Sequence, residues 1–427
     1  MIRPFCSSGI SVANACGIDF GTSNSTVGWC KGDKASLLAL EDDKLTLPSV
    51  VFFNAEENAV TFGRAALSQY LAGYEGRLMR SLKSLLGTSL IDAQTEVLGR
   101  ALPFRMLLAQ FIEELKRRAE SAADRPFSQA VFGRPVFFID GDADADRTAQ
   151  ETLQDIAHQA GFKEVVFQFE PIAAAFDYES RIEKEELVLI ADIGGGTSDF
   201  SLVRLSPDRI AKAERREDIL ATGGVHIGGT DFDKYLSLAS FMPLLGMGSR
   251  LRNGGEIPST CYFNLATWHT INFAYTPRTL TELQDIYRDA SEREKLDRLL
   301  ALIKAREGHW LALKAEEGKI ALSESESVSL DLERLKPRQS LMLDRQNFNK
   351  AVGHLVSDIE RTVSALLRDA GIGADSVDTV FFTGGSSGVP LLRDKVASLL
   401  PSARRVEGDL FGSIGSGLAL DAVRKFG

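Results

Sequence analysis

Two turns of closely similar design, Gly17-Ile-Asp-Phe-Gly-Thr-Ser-Asn-Ser25 and Ala191-Asp-Ile-Gly-Gly-Gly-Thr-Ser-Asp199, each grow out of an apolar strand and each carry an aspartate beside the glycines. Glycine lets the backbone turn tightly enough for successive N–H groups to converge on phosphate oxygens, and a neighbouring carboxylate can hold a magnesium ion through its water shell. A phosphate grip built twice implies two lobes closing on one nucleotide. Aspartates that merely form turns would account for one such segment. They do not account for two of like design plus a third glycine turn, Gly384-Gly-Ser-Ser-Gly388, behind the strand Thr379-Val-Phe-Phe-Thr383. Neither G-x-x-x-x-G-K-[ST] nor G-x-G-x-x-G occurs, so P-loop and Rossmann readings lose their motifs.

At 427 residues, with 44% hydrophobic and 25% charged side chains, the chain can build more than one core. Its formal charge of −10 and lack of a basic run argue against a nucleic-acid partner. Cys6, Cys16, Cys30 and Cys261 show neither C-x-x-C nor disulfide-framework spacing, which fits a reducing, cytoplasmic setting. Ala13-Asn14-Ala15 imitates a leader-cleavage site, but the stretch Phe5 to Val12 is too polar for a leader's apolar core. No apolar run is long enough for a membrane helix.

The order of elements is α/β. Residues 16–30 form a strand and turn, and Leu47 to Phe53 another strand. Leu107, Leu108, Phe111, Ile112 and Leu115 recur at helical spacing, in a helix ending at Lys116-Arg117-Arg118. Ala130 to Ile139 reads as a buried strand, 147–160 as a helix, Glu164 to Gln168 as a strand, and a further helix follows Pro171. Leu187 to Asp192 and Phe200 to Leu205 repeat the opening unit. An irregular, glycine-containing stretch then leads into a long charged helical segment from Leu280 to Leu322, before α/β alternation returns with helices over 346–370, 390–400 and 412–425. The expected division is an N-terminal extension over 1–15, one lobe over 16–185, and a second over 186–427. That second lobe carries an inserted helical subdomain over about 232–325 and a C-terminal helix that packs back on the first lobe.

These residues carry a family resemblance. The chain resembles the ATPase domain of the seventy-kilodalton heat-shock chaperones (DnaK type), within the actin and sugar-kinase superfamily, and more narrowly the YegD group of truncated relatives. Gly17 to Thr22 is similar to the family's first phosphate turn, Asp192 to Asp199 to its second, and Phe381 to Ser386 to its adenosine turn. Phe169-Glu-Pro-Ile-Ala-Ala-Ala175 resembles a hinge-helix signature that separates these chaperones from actins and sugar kinases. The resemblance implies an actin-like ATPase fold of duplicated ribonuclease H-like domains. It also implies ATP or ADP with Mg²⁺ as the ligand. By the same resemblance, Asp19 and Asp192 place the magnesium through water, Asp199 supports them, Glu170 orients water, and Lys83 stabilises the γ-phosphate. Gly21, Thr22, Ser23, Gly194, Gly195, Gly196 and Thr197 touch phosphates, and Gly228 and Gly229 lie in the bordering loop. Glu316, Lys319 and Ser323 belong to the purine-side helix, Gly384, Gly385 and Ser386 to the adenosine turn. Pro135 and Arg147 fall where the family keeps interlobe switch residues.

Two departures stand out. Ile320 and Gly388 occupy the positions of two arginines that sandwich the adenine in the family, a loss of about 0.5–2 kcal/mol per stacked cation. The region around 240–310 is also longer than in the full-length chaperones. Asp140, Asp142, Asp144 and Glu151 imitate a calcium loop, but Ala145 stands where the glycine belongs, so an acidic helix cap is the better reading. The resemblance implies slow Mg²⁺-dependent ATP hydrolysis coupled to lobe closure, in a monomer lacking the peptide-binding domain and acting on an unidentified partner protein. A small-molecule kinase and an actin-like filament protein are the alternatives.

Overall fold

The computed structural model describes residues 14–427 apart from 33, 98, 140, 211, 213, 214, 410 and 411. Cys6, the stretch weighed as a leader, nearly all of the N-terminal extension, and Asp140 lie outside the described residues.

Two mixed sheets carry the molecule. In the first, Ala15–Phe20 pairs antiparallel with Asn24–Lys31, which pairs antiparallel with Lys34–Leu37. On its other edge Ala15–Phe20 runs parallel to Gln129–Arg134, and that strand parallel to Glu164–Phe169. The second sheet has the same order and directions. Glu186–Ile193 pairs antiparallel with Ser198–Leu205, and that strand with Ile219–Val225; Thr379–Thr383 and Arg404–Glu407 are added in parallel. The central strands Ala15–Phe20 and Glu186–Ile193 are apolar on both faces because helices cover both, as parallel pairing requires. Asp19 and Asp192 each occupy the next-to-last position of their strand, aimed at the connecting turn.

Helix Phe104–Ala123 buries Leu107, Leu108, Phe111, Ile112, Leu115 and Ala119 against the first sheet's core. It continues past the basic triplet expected to end it and stops where Asp124 turns left-handed. Leu47 to Phe53 is not one strand: Thr46–Pro48 joins the first sheet and Val50–Asn54 a separate small sheet with Ala59–Phe62 and Gly76–Arg80. Ser49 at the break spends its hydroxyl on the Gly21 carbonyl, 2.7 Å away. The strand expected to reach Ile139 ends at Arg134, because Pro135 offers no N–H to a ladder. Helix Ala143–Gln159 begins earlier than its apolar pattern, capped by Asp142, whose Oδ1 accepts from the N–H groups of Asp144 and Ala145. Those bonds occupy the carboxylate that a calcium loop would have needed.

The long charged segment is three helices, Pro277–Asp289, Arg293–Lys304 and Gly308–Glu324, the last break falling at Arg306 with φ +55°. Ahead of them Thr260–Ala266 and the 3₁₀ segment Trp268–Tyr275 bury Tyr262, Leu265, Ile271 and Ala274 in the same core. Helix Ser413–Phe426 lies on Ala15–Phe20, Asn24–Lys31 and Gln129–Arg134 and crosses helix Glu170–Glu179.

Candidate functional site

All three glycine turns open into one cleft of about 490 Å³. In the second turn the carbonyls of Gly194 and Gly195 accept from Gly229 and Thr230 at 3.0 and 2.8 Å, which ties the turn to the start of helix Gly229–Leu236. Thr197 Oγ1 donates to Asp199 Oδ2 at 2.7 Å. The third turn lies so close to the second sheet that a Cβ on Gly384 would stand 2.5 Å from Asp192 Oδ1. With φ at +80°, only glycine fits there.

Lys83 sits on the short 3₁₀ segment Leu82–Leu85 and reaches across to Glu170, the first residue of its helix, with Nζ to Oε1 at 2.8 Å. Both side chains are largely buried. Asp192 faces Asp199 across the ladder, so the two carboxylates are direct cross-strand neighbours. Burial raises the Asp19 carboxyl to about 7, the Glu170 charge adds to this, and Lys83 opposes it. Burial and the charges of Glu170, Asp199 and Asp19 push Asp192 well above the usual carboxylate range. For Lys83, burial disfavours the charged form, but Glu170 and Asp19 more than offset it, so the ammonium is held. Crowding these carboxylates around one ammonium favours the protonated forms of Asp19 and Asp192, and a divalent cation would favour their charged forms instead. No three His, Cys, Asp or Glu side chains among the described residues converge as direct metal ligands. Carboxylate oxygens suit a hard divalent ion, and Asp19 and Asp192 are the residues that would hold it.

Gly21, Thr22, Ser23, Gly229, Glu316, Lys319, Gly385, Ser386 and Pro135 also line the cleft. Lys319 Nζ lies 2.9 Å from Asp233 and 3.2 Å from the Gly229 carbonyl. Ile320 is 57% exposed. Three of the named residues stand back from the cleft. Gly228 packs behind the second turn, where a Cβ would meet the Gly195 backbone at 2.6 Å. Ser323 donates to the Lys319 carbonyl one turn earlier. Arg147 is a surface side chain paired with Asp144. Sequence reasoning missed Asn24 and Asp233, both of which line the cleft. Asp233 was within reach of it, since it lies one turn beyond Gly229 on the same helix. It also missed Leu86, Thr88, Phe137, Phe138 and Ile139, which add an apolar part to the lining of the same cleft.

The mixed α/β chain brings its three glycine turns, a set of carboxylates and the lysines Lys83 and Lys319 to a single cleft. The chain belongs to the Hsp70 protein family, which it matches over residues 15–108, 91–241 and 293–415. It is 27% identical over 431 residues to the chaperone protein HscA of Citrobacter koseri, covering 95% of this chain and 58% of that protein. HscA from Shigella boydii serotype 18 and from Escherichia coli O17:K52:H18 are 27% identical over 433 residues with the same coverage. The chain thus spans 58% of the length of these relatives. Among the described residues no helix is long and apolar enough to cross a membrane.

Proposed function

We propose that this protein binds ATP and hydrolyses it slowly, as a chaperone-type switch whose two lobes, 16–185 and 186–427, close on the nucleotide. The carrying observation is the convergence of the three glycine turns, Asp19 and Asp192 at corresponding strand positions, and the Lys83–Glu170 pair on one cleft. The matching strand order and directions of the two sheets support duplicated ribonuclease H-like lobes of actin type, with about 232–325 as an inserted subdomain.

Magnesium, when bound, supplies charge neutralisation and orientation along the phosphate chain. The backbone of residues 21–23 and 194–197 grips phosphate oxygens, with the Thr22 and Thr197 hydroxyls beside it. Lys83, preorganised in the cleft by Glu170, would neutralise charge that develops on the γ-phosphate during in-line attack, and a preorganised cation of this kind is worth about 10²–10³ in rate. Glu170 holds Lys83 before the nucleotide arrives, then accepts from the attacking water and orients it. Glu316, Lys319 and Ser386 take the ribose and base end. With Ile320 and Gly388 supplying no stacked cation, affinity for the adenine is weaker by about 0.5–2 kcal/mol per missing contact. The output is a change of lobe closure read by a partner protein. The HscA relatives are named as chaperones, which supports a protein rather than a small molecule as that partner.

Single-turnover hydrolysis of radiolabelled MgATP by wild type and Lys83→Ala tests this. The expected result is slow turnover in wild type and its loss in the variant, with nucleotide still bound. Binding without hydrolysis in either protein would refute the ATPase reading and favour a kinase that awaits its acceptor.

A further inference from the structure

The stretch 242–292 is the internal part of the chain that the family match passes over. Through Trp268 and Arg80 it is nevertheless linked to Glu316, a residue of the cleft lining. Arg80, at the end of strand Gly76–Arg80, lays its guanidinium over the Trp268 ring, 4.7 Å from the centroid. The same guanidinium lies 3.5 Å from Glu316 Oε1, and only 11% of the Arg80 side chain is exposed. Glu316 lines the cleft one helical turn before Lys319. On its other flank Trp268 meets His309 edge-on, with centroids 4.8 Å apart. His309 Nδ1 in turn lies 2.6 Å from the hydroxyl of Tyr70, on helix Gly63–Leu71.

Two cross-links therefore join the first half of the chain to helix Gly308–Glu324: Arg80 to Glu316 and Tyr70 to His309. Trp268 touches a member of each. An arginine–glutamate pair at a cleft rim contributes little by itself, because two long side chains must be ordered and solvent screens them. A ring face beneath the guanidinium removes that freedom and adds attraction that water does not quench. The Glu316 carboxylate then meets a ligand already oriented.

We propose that Trp268 is a positioning residue that sets how long nucleotide stays bound: its ring fixes Arg80, and Arg80 fixes Glu316. This role presupposes the nucleotide reading proposed above. It is separate from the phosphate end, where Lys83 and Glu170 lie.

The test is release of mant-ADP from the full chain with Mg²⁺, chased with unlabelled ADP, for wild type, Trp268→Leu, Trp268→Phe, Arg80→Gln and the Trp268→Leu/Arg80→Gln pair. Trp268→Leu is expected to release about 2- to 30-fold faster, the range of one cation–π contact. Trp268→Phe, which keeps a ring face, restores most of the loss. The double variant is no faster than the faster single one, since both break one chain of contacts. Single-turnover hydrolysis of bound ATP changes less than release does, a split that general loosening would not give. Wild-type release rates in a folded Trp268→Leu would overturn the proposal while leaving the nucleotide reading intact. If that variant does not fold, unchanged release from Arg80→Gln overturns it equally. Failure of wild type to bind mant-ADP would overturn both.

Discussion

The seating of the C-terminal helix permits a prediction in which one chemical change has opposite signs at two places. Gly417 lies on helix Ser413–Phe426 where it crosses helix Glu170–Glu179. A Cβ there would overlap the Ala173 carbonyl oxygen and stand 2.5 Å from its carbon and 3.0 Å from its Cα. All three atoms are backbone, so no rotamer change relieves the clash. Gly353, in helix Arg345–Asp369, has no atom within 4 Å of the same ideal Cβ. Alanine in place of glycine within a helix gains about 1 kcal/mol of propensity at either site. At Gly353 that gain is kept. At Gly417 ordinary contact returns only if the helices part by roughly 1–2 Å, and forced overpacking of this kind costs about 1–3 kcal/mol, here toward the upper end.

Urea midpoints should therefore move apart, Gly353→Ala upward by the equivalent of about 0.5–1 kcal/mol and Gly417→Ala downward by about 2 kcal/mol net. Activity sharpens the distinction. Ala173 shares its helix with Glu170, whose carboxylate holds Lys83 at 2.8 Å. Displacement by an ångström at a reacting centre can cost about 10² in rate. Single-turnover hydrolysis should fall steeply in Gly417→Ala and be unchanged in Gly353→Ala. A Gly417→Ala protein as stable and as active as wild type would refute the close crossing of the two helices.

Three shorter predictions follow. His309 is held neutral: burial lowers its pKa from 6.5 to about 4, Arg80 acts the same way, and a bond to the Trp268 backbone opposes them, while Tyr70 faces the other ring nitrogen. The unfolded chain takes up a proton near 6.5 that the folded one refuses, so this contribution is full above 6.5 and lost as pH falls toward 4, by at most about 3 kcal/mol; denaturant titrations of wild type and His309→Gln should differ in that slope, and parallel slopes would sink the claim. Glu179 and Arg215 are fully buried and paired at 2.7 and 2.8 Å, and Arg215 also bonds Asp218, so Glu179→Gln should cost about 3 kcal/mol in chemical denaturation by leaving a buried guanidinium short of charge. Lys83→Ala should retain nucleotide in equilibrium dialysis while losing turnover; loss of binding instead would make Lys83 a binding group rather than one acting in the transition state.

What could be read from the sequence was what local backbone chemistry dictates. Gly194 to Gly196, Gly384 and Asp192 declared themselves because a turn gripping phosphate needs those residue types in consecutive positions, and the structure brings them to one cleft. Where two strands share one apolar run, local pattern failed: Leu47 to Phe53 reads as a single strand, yet it is divided at Ser49 between two sheets, and the Ser49 hydroxyl donates to the Gly21 carbonyl. Arg306 ended a helix in the left-handed region without a glycine or proline to announce it. Trp268 is the sharper case. It lies in sequence far from Arg80 and Tyr70 and in a stretch outside the family match, so neither spacing nor resemblance pointed to it. Its contacts arise only when the fold packs helix Gly308–Glu324, which carries His309 and Glu316, beside Arg80 and Tyr70. Residues that act through a partner's side chain carry no motif, because their constraint is a shape in space rather than a chemistry along the chain. The role proposed for Trp268 would give a stretch outside the family match a hold on the cleft without contact with Lys83, Glu170 or the aspartates.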